Sequence, residues 1–561
     1  MKNPSTGQPI IWWLGGAAVL ALIAALYLFG LNRSAAEIPQ VDLSLMEARV
    51  STLIRSRISA VNTNPDSAGA WAELAQAFHA HDLFSQAIAA YAEAIKLSPE
   101  DVRWPYLAAL AQAQSDPQAS LALFRQAIDL KPSNAAVYIN FGEVLVRLGQ
   151  LDDADHAFSQ ALEIDANSSH ALYGRAQVAI LREEPETALA LLERAEVLAP
   201  HRGEVHRMLA QVYQRLGNQD SARRQTMLAG AWPDSTRAPD PVAQAMESVA
   251  VDSQAIARRG VSLAKRGAFG EAEAAFREVL EIRPANARDY ANLGGALAGQ
   301  GKSEAALEAY RQGLEIEPEN VDVLNNLGLS LMQTGRFEES ELHFQKALEF
   351  DPEFAEALGN LGLLAERRGQ PALAMDYLEQ ALEKSPGLIF ARNALASQFA
   401  RKGDTKAAAE HWRTALDINP NELTAIYYLA MVLASHGEHA ESISLLRRGM
   451  AIAPNSSRLI AAMAWELATA PEDELRNGKE ALQLAQRVFS ALPNQPQMAD
   501  VMAAALAETG DFDNAVKLME KLVASGAGDA QALRLKVYRL QKPWRQSLPA
   551  EVRASSPKPK R

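Results

Sequence analysis

The apolar residues between Leu324 and Pro352 (LNNLGLSLMQTGRFEESELHFQKALEFDP) form two short runs with helical spacing. Within each run the apolar side chains are three or four residues apart, at Leu324, Leu327, Leu331, Phe344 and Ala347. Gly335 separates the runs, and Pro352 ends the second because proline lacks an N–H and clashes with the preceding helical turn. The pattern predicts two helices joined by a tight turn, a hairpin too small to bury its own apolar face.

This hairpin pattern recurs along the chain at a step of 34 residues. The glycines of the series are Gly267, Gly301, Gly335, Gly369, Gly403 and Gly437. The prolines of the series are Pro284, Pro318, Pro352, Pro386, Pro420 and Pro454. Because both series keep one register, we expect hairpins that stack on their neighbours and bury a continuous core in an all-α fold.

The repeated pattern resembles the tetratricopeptide repeat (TPR) family. The first unit carries the family's residue types at the family's spacings, at Trp71, Leu74, Ala75, Phe78, Ala87, Tyr91, Ala94 and Pro99. The resemblance covers roughly four-fifths of the chain. It implies a right-handed TPR superhelix, an α-solenoid of about 13 helical hairpins in two blocks, to which the sequence adds one N-terminal transmembrane helix.

Breaks in the register and shifts in composition divide the chain into eight parts. The predicted parts are 1–9, a short N-terminal tail; 10–31, a transmembrane anchor; 32–67, a stalk with a pre-repeat helix; 68–231, a first TPR block; 232–252, a linker; 253–456, a second TPR block; 457–535, variant and capping TPR units; and 536–561, a basic disordered tail. The linker is assigned because its first half is rich in proline. The tail is assigned because it has eight Lys or Arg residues against Glu551 alone.

The anchor rests on the uncharged run Ile10 to Leu31 (IIWWLGGAAVLALIAALYLFGL). Its length gives about 33 Å of helix, enough to cross a bilayer. A cleaved signal peptide is the alternative, although its apolar core would be shorter. A short tail before the anchor and a long body after it favour export of the body. We therefore expect a single-pass protein of the bacterial inner (cytoplasmic) membrane with most of the chain in the periplasm.

Composition and residue distribution argue against several classes of chemistry. A net charge of -13 disfavours nucleic-acid binding, and the absence of cysteine removes disulfides, thiolate metal sites and thiol nucleophiles. His436 with His439 and His79 with His81 have the spacing of two metal ligands, but neither pair has an evident third ligand. The repeats leave no room for an enzyme domain. We expect no metal, no cofactor and no enzymatic activity.

Asparagine residues form the one row with a predicted binding role. Asn292, Asn326 and Asn360 each stand in an Asn-Leu-Gly triplet on a first helix of successive repeats. An amide both donates and accepts, so such a row can bind the backbone of an extended peptide. The row resembles the asparagine ladder of O-linked N-acetylglucosamine transferases, whose catalytic region is absent. A structural role in the repeat is the alternative, and Asn140 is an isolated equivalent in the first block.

These features predict a membrane-tethered, non-enzymatic TPR scaffold that binds a partner protein or extended peptide in its concave groove and assembles an envelope complex. Two alternatives stay open from the sequence. One is a non-catalytic subunit that positions substrate for an envelope biosynthetic enzyme. The other is a TPR adaptor that faces the cytoplasm.

Overall fold

The computed structural model describes residues 37–232, 234, 237–526 and 528–546. This part of the chain contains 29 α-helices, one 3₁₀ turn (Asp473–Leu475) and no β-strand. An all-helical solenoid was predicted from the 34-residue register, and the described residues confirm it.

The helices are short and of similar length, most of them 13 or 14 residues. They are α1 (Ala48–Thr63), α2 (Ala68–Ala80), α3 (Phe84–Leu97), α4 (Arg103–Ser115), α5 (Pro117–Asp129), α6 (Ala135–Arg147), α7 (Leu151–Ile164), α8 (Ser169–Leu181), α9 (Pro185–Leu198), α10 (Gly203–Arg215), α11 (Gln219–Ala231), α12 (Pro241–Glu247), α13 (Ser253–Lys265), α14 (Phe269–Ile282), α15 (Ala287–Gly299), α16 (Ser303–Ile316), α17 (Val321–Gln333), α18 (Phe337–Phe350), α19 (Ala355–Arg367), α20 (Pro371–Lys384), α21 (Ile389–Lys402), α22 (Thr405–Ile418), α23 (Leu423–Ser435), α24 (His439–Ile452), α25 (Ser457–Thr469), α26 (Gly478–Ala491), α27 (Pro496–Glu508), α28 (Phe512–Ala524) and α29 (Asp529–Arg539).

Most hairpins turn at a residue with left-handed backbone conformation; the turns of α4–α5 and α25–α26 are the exceptions. Gly335 has φ of 79°, which allows the N–H of Arg336 to donate to the carbonyl of Leu331 at 2.9 Å. Asp82 and Glu183 occupy the equivalent place without glycine and adopt φ of 60° and 63°. The turn geometry is therefore kept even where the sequence lacks its preferred residue.

Glycines inside helices make room for an aromatic ring of a neighbouring helix. A Cβ atom on Gly142 would lie 2.7 Å from Cε1 of Phe158, and one on Gly174 only 2.4 Å from the same atom. Phe158 is fully buried between them. The same arrangement joins Gly328 to Phe344, where the added Cβ would lie 2.7 Å from the ring. Each of these glycines thus forms a socket, a space that the ring of a neighbouring helix fills.

Three of the described helices stand outside the 13 hairpins. Two of them were not predicted, so the number of helices differs from the prediction. Helix α1 is the predicted pre-repeat helix, and its Ile54 and Val61 pack into the cluster that contains Trp71. Helix α12 lies in the stretch predicted as a linker, and α29 follows the last hairpin.

The chain divides into two compact units, Met1–Ala309 and Tyr310–Arg561. The first unit therefore includes the stretch 232–252, instead of ending there. Contacts across that stretch explain the difference: the Glu47 carboxylate accepts hydrogen bonds from the Ser253 backbone N–H at 2.9 Å and its hydroxyl at 2.7 Å. The predicted boundary between the two blocks, residues 232–252, and the boundary between the two compact units, after Ala309, thus fall at different places.

The second unit ends in a packed segment where the sequence predicted the start of a disordered tail. Trp544 packs against the apolar cluster of α27–α29. Arg545 donates to Glu508 at 2.7 Å, and the side chain of Gln546 donates to the buried Glu466 at 2.7 Å. The charge count that predicted disorder ignored these acidic partners, which are distant in sequence. Residues 547–561 of the predicted tail lie outside the described residues.

The predicted transmembrane anchor, residues 10–31, also lies outside the described residues. Among the helices that the structure describes, none is both long and apolar enough to span a bilayer.

Candidate peptide-binding surface

The first helices of five successive hairpins line a cavity in the first unit. These helices are α2, α4, α6, α8 and α10, and the surface they form around the cavity is called the inner face below. The cavity volume is about 1210 Å³. Small-molecule pockets usually enclose roughly 300–1,000 Å³, so the space suits a stretch of polypeptide better than a small ligand.

A stretch of the chain itself lies against the inner face. Residues 237–252, called the docked segment below, contain helix α12 and line the same cavity. Helix α12 contacts α2 and α4. The inner face therefore already contacts a short peptide-like segment.

Asp240 is the main polar contact of the docked segment. Its side chain is 6% exposed and accepts hydrogen bonds from the Tyr106 hydroxyl and from the Asn134 side-chain amide, the latter at 3.1 Å. The same carboxylate accepts the backbone N–H groups of Val242 at 3.1 Å and Ala243 at 3.3 Å. Asp240 thus caps α12 and joins it to two neighbouring hairpins.

Apolar contacts hold the other face of α12. Met246 is 5% exposed and belongs to the cluster that contains Trp104 and Leu107. Val242 lies one helical turn before Met246 and packs against the apolar clusters of the first hairpins. Gln244, on the opposite side of α12, is exposed.

The docked segment ends at a second polar contact. Asp252 caps α13 by accepting the N–H of Ala255 at 2.8 Å, and its Oδ2 lies 3.1 Å from His81 Nδ1. Just before the segment, the guanidinium of Arg207 donates two hydrogen bonds of 2.9 Å to Asp234. Acidic side chains in and beside the segment therefore meet basic or hydrogen-bonding groups of the inner face.

Burial shifts several titratable groups of the cavity toward their neutral forms. It raises the pKa of the Tyr106 hydroxyl well above its usual value, and the nearby Asp240 carboxylate adds to that rise. It also raises the pKa of Glu143, which Arg147 and Arg237 partly oppose. His79 responds in the opposite sense, because burial disfavours its cationic form and lowers its pKa to about 4.

The predicted asparagine row does not have one common environment. Asn292 lies in the first unit, whereas Asn326 and Asn360 lie in the second. Asn292 and Asn326 are half-buried, but Asn360 is only 6% exposed. The amide of Asn360 donates to Oδ1 of Asn325, also buried, at 2.9 Å. The binding role of the row stays a prediction, and this hydrogen bond gives Asn360 the structural role that the sequence left as the alternative.

The isolated equivalent, Asn140, belongs to the inner face. Its amide donates to the Tyr106 hydroxyl at 2.7 Å and to the carbonyl of Ala136 at 2.9 Å. Because Tyr106 in turn donates to Asp240, Asn140 supports the contact with the docked segment through the tyrosine.

The histidines considered as metal ligands have other neighbours. His439 Nδ1 lies 2.8 Å from the buried Glu466, and His436 Nε2 lies 2.8 Å from the Thr405 hydroxyl. His79 packs edge-on against the rings of Phe84 and Tyr91. Within the described ranges, no group of three or more potential ligands could hold a metal ion.

Sequence reasoning missed the residues that bind the docked segment. Tyr106 and Asn134 stand more than 100 residues before Asp240, so no local pattern relates them. One signal was available: Asp240-Pro241 has the composition of a helix start, with an acidic N-cap and proline in the first turn.

Models of the tetratricopeptide repeat family match the chain in both units. The matched residues are 111–178 and 399–466 for one model, 47–102, 73–135 and 291–353 for a second, and 343–376 for a third. Together these ranges make up about half of the chain. They confirm the repeats predicted from the 34-residue register.

Two curated proteins resemble parts of the chain. Anaphase-promoting complex subunit 3 of Schizosaccharomyces pombe is 24% identical over 30% of this chain and 31% of its own length. Protein O-mannosyl-transferase TMTC3 of Homo sapiens is 39% identical over 12% of this chain and 7% of its own length. The chain thus matches less than a third of either relative.

Among solved structures, the crystal structure of the APC/C hetero-tetramer Cut9-Hcn1 is 14% identical with a TM-score of 0.42, covering 88% of this chain and 96% of that chain. The crystal structure of the yeast Tom70 is 17% identical with a TM-score of 0.35, covering 78% and 96%.

Proposed function

Because the chain belongs to the tetratricopeptide repeat family, we propose that it is a non-enzymatic scaffold that binds partner proteins along its repeats. The observation that carries the proposal is the inner face of the first unit. There, side chains from successive hairpins hold a peptide-like segment at a polar end and an apolar face. Such a combination of a few placed polar groups and apolar contacts is what peptide recognition needs.

The second part of the proposal concerns the asparagine row. Asn292, Asn326 and Asn360 bind the backbone of an extended partner peptide, with Asn325 as a further amide beside Asn360. Support comes from their recurrence at the 34-residue step and from the partial exposure of Asn292 and Asn326. Asn360 offers its remaining amide hydrogen and its oxygen, because one amide hydrogen is bonded to Asn325.

The third part concerns location. Residues 10–31 tether the scaffold to the bacterial inner membrane as a single span, and the bulk of the chain works in the periplasm to assemble an envelope complex. The support is the uncharged apolar run of membrane-spanning length in the sequence.

Photo-crosslinking in host cells tests the scaffold function. A photoreactive amino acid placed at Gln177, which lines the cavity on α8, should form adducts with a partner protein. The matched control is Gln126, an exposed residue on the second helix α5. Adducts at both positions alike, or at neither, would count against partner binding at the inner face.

A further inference from the structure

The docked segment is held more loosely than the repeats around it. Of the seven residues of α12, only Met246 is buried. The neighbouring hairpin helices each bury three or more residues, as α4 and α6 illustrate with eight and seven. A segment with so few buried contacts has a low local free energy of opening and can leave its site without unfolding the hairpins.

The contacts of the docked segment also resemble those of a bound ligand, because the hairpins that it contacts have cores of their own. Tyr106 and Asn134 belong to hairpins whose cores pack through other residues, such as Phe124 and Val137. The segment itself interrupts the 34-residue register and adds no hairpin to the stack. The hairpins of the inner face thus keep their own cores without the segment, and they lose the hydrogen bonds to Asp240 and the apolar contacts of Val242 and Met246.

We propose that the docked segment is an internal pseudo-ligand that covers the part of the inner face formed by α2, α4 and α6 until a partner helix of the same chemistry displaces it. The partner is a protein segment that presents an acidic N-cap, followed two and six residues later by apolar side chains on one helical face. This pattern is the one shown by Asp240, Val242 and Met246. The inference rests on the proposed function, and it adds the partner's chemistry and a covered resting state.

The sequence of the docked segment supplies a defined probe. A synthetic fluorescent peptide, RAPDPVAQAMESVAVD, reproduces residues 237–252 and can be titrated against the full chain by anisotropy. Wild-type chain should bind it weakly, because the covered state reduces the fraction of competent molecules. The double variant Asp240→Ala/Met246→Ala weakens only the internal copy and should bind the peptide about ten- to a hundredfold more tightly.

Two further variants separate site-specific binding from other causes. Adding Tyr106→Phe to the double variant removes the hydroxyl that bonds the peptide's aspartate, and should weaken peptide binding by about tenfold. Gln244→Ala changes an exposed residue of the same helix and should behave as wild type. No gain in the double variant, or a gain that Tyr106→Phe leaves unchanged, would overturn the inference.

A second measurement does not depend on the double variant folding. The chain has no cysteine, so the single variants M246C and A245C each carry one reactive thiol. Without peptide, M246C should react slowly with maleimide because position 246 is buried. A245C should react fast because position 245 is exposed. Excess peptide should accelerate the maleimide reaction of M246C only. A thiol that stays protected at saturating peptide would overturn the displacement, whereas adducts at Gln177 would still support partner binding by the scaffold.

Discussion

His79 is a buried imidazole whose Nδ1 has no hydrogen-bond partner among the described residues. Burial lowers its pKa to about 4, and Arg237 acts in the same direction. The unfolded chain, with a pKa near 6.5, therefore binds more protons than the folded chain between pH 6.5 and 4. The stability contributed by this neutral histidine is complete above pH 6.5 and is lost as the pH falls toward 4.

The resulting prediction is a pH-dependent free energy of unfolding. Between pH 6.5 and 4 the His79 contribution should fall by about 3 kcal/mol, at ~1.4 kcal/mol for each pKa unit. His79→Leu should make urea unfolding of the full chain less dependent on pH over this window. His156→Leu, at an exposed position on α7, is the control. Equal pH dependence of wild type and His79→Leu would contradict the burial of a neutral imidazole.

Asn360 gives the second test at the level of single residues. Asn360→Ala leaves the buried Oδ1 of Asn325 without its donor, so it should lower stability by about 1–3 kcal/mol. Asn326→Ala and Asn292→Ala, at half-buried positions, should change it by less than about 0.5 kcal/mol. Hydrogen exchange of α15, α17 and α19 in the full chain measures the difference. An equal loss of stability from all three substitutions would contradict a separate structural role for Asn360.

At the level of helices, glycine sockets let the two helices of a hairpin pack closely. A Cβ on Gly260 of α13 would lie 2.7 Å from the Phe276 ring of α14, so Gly260→Ala should destabilise this hairpin by about 1–3 kcal/mol. Gly270 belongs to the same hairpin and has nothing within 4 Å of such a Cβ. Gly270→Ala should be neutral or stabilising, since alanine is the better helix former. Local hydrogen exchange should separate the two, and equal destabilisation by both would refute the steric account.

The hairpins themselves were predictable from sequence because their signals are local. Gly335 fixes the turn, and the apolar spacing of Leu327 and Leu331 fixes the buried face. The features that could not be predicted from sequence depend on contacts between residues that are distant in the chain. Tyr106 with Asp240 and Gln546 with Glu466 are examples, separated by 134 and 80 residues. The docked segment and the packed residues Trp544 to Gln546 were missed for this reason.

At the level of the whole chain, the predicted membrane span sets the topology. If residues 10–31 anchor an exported body, alkaline phosphatase fused after Arg561 should be active in a bacterial host, because the enzyme matures only outside the cytoplasm. A fluorescent cytoplasmic reporter at the same position should be dark. The reverse pair of results would place the body in the cytoplasm and leave the scaffold function open.

We propose that the inner face of the first unit is a peptide-binding surface. Its most direct measurement is hydrogen exchange of the full wild-type chain with and without saturating peptide RAPDPVAQAMESVAVD, isotopically labelled so that its masses are distinct from those of residues 237–252. The amides of α12 should exchange faster as the internal copy is displaced, while α2, α4 and α6 stay protected beneath the added peptide. Unchanged exchange of α12 at saturating peptide would refute the proposal.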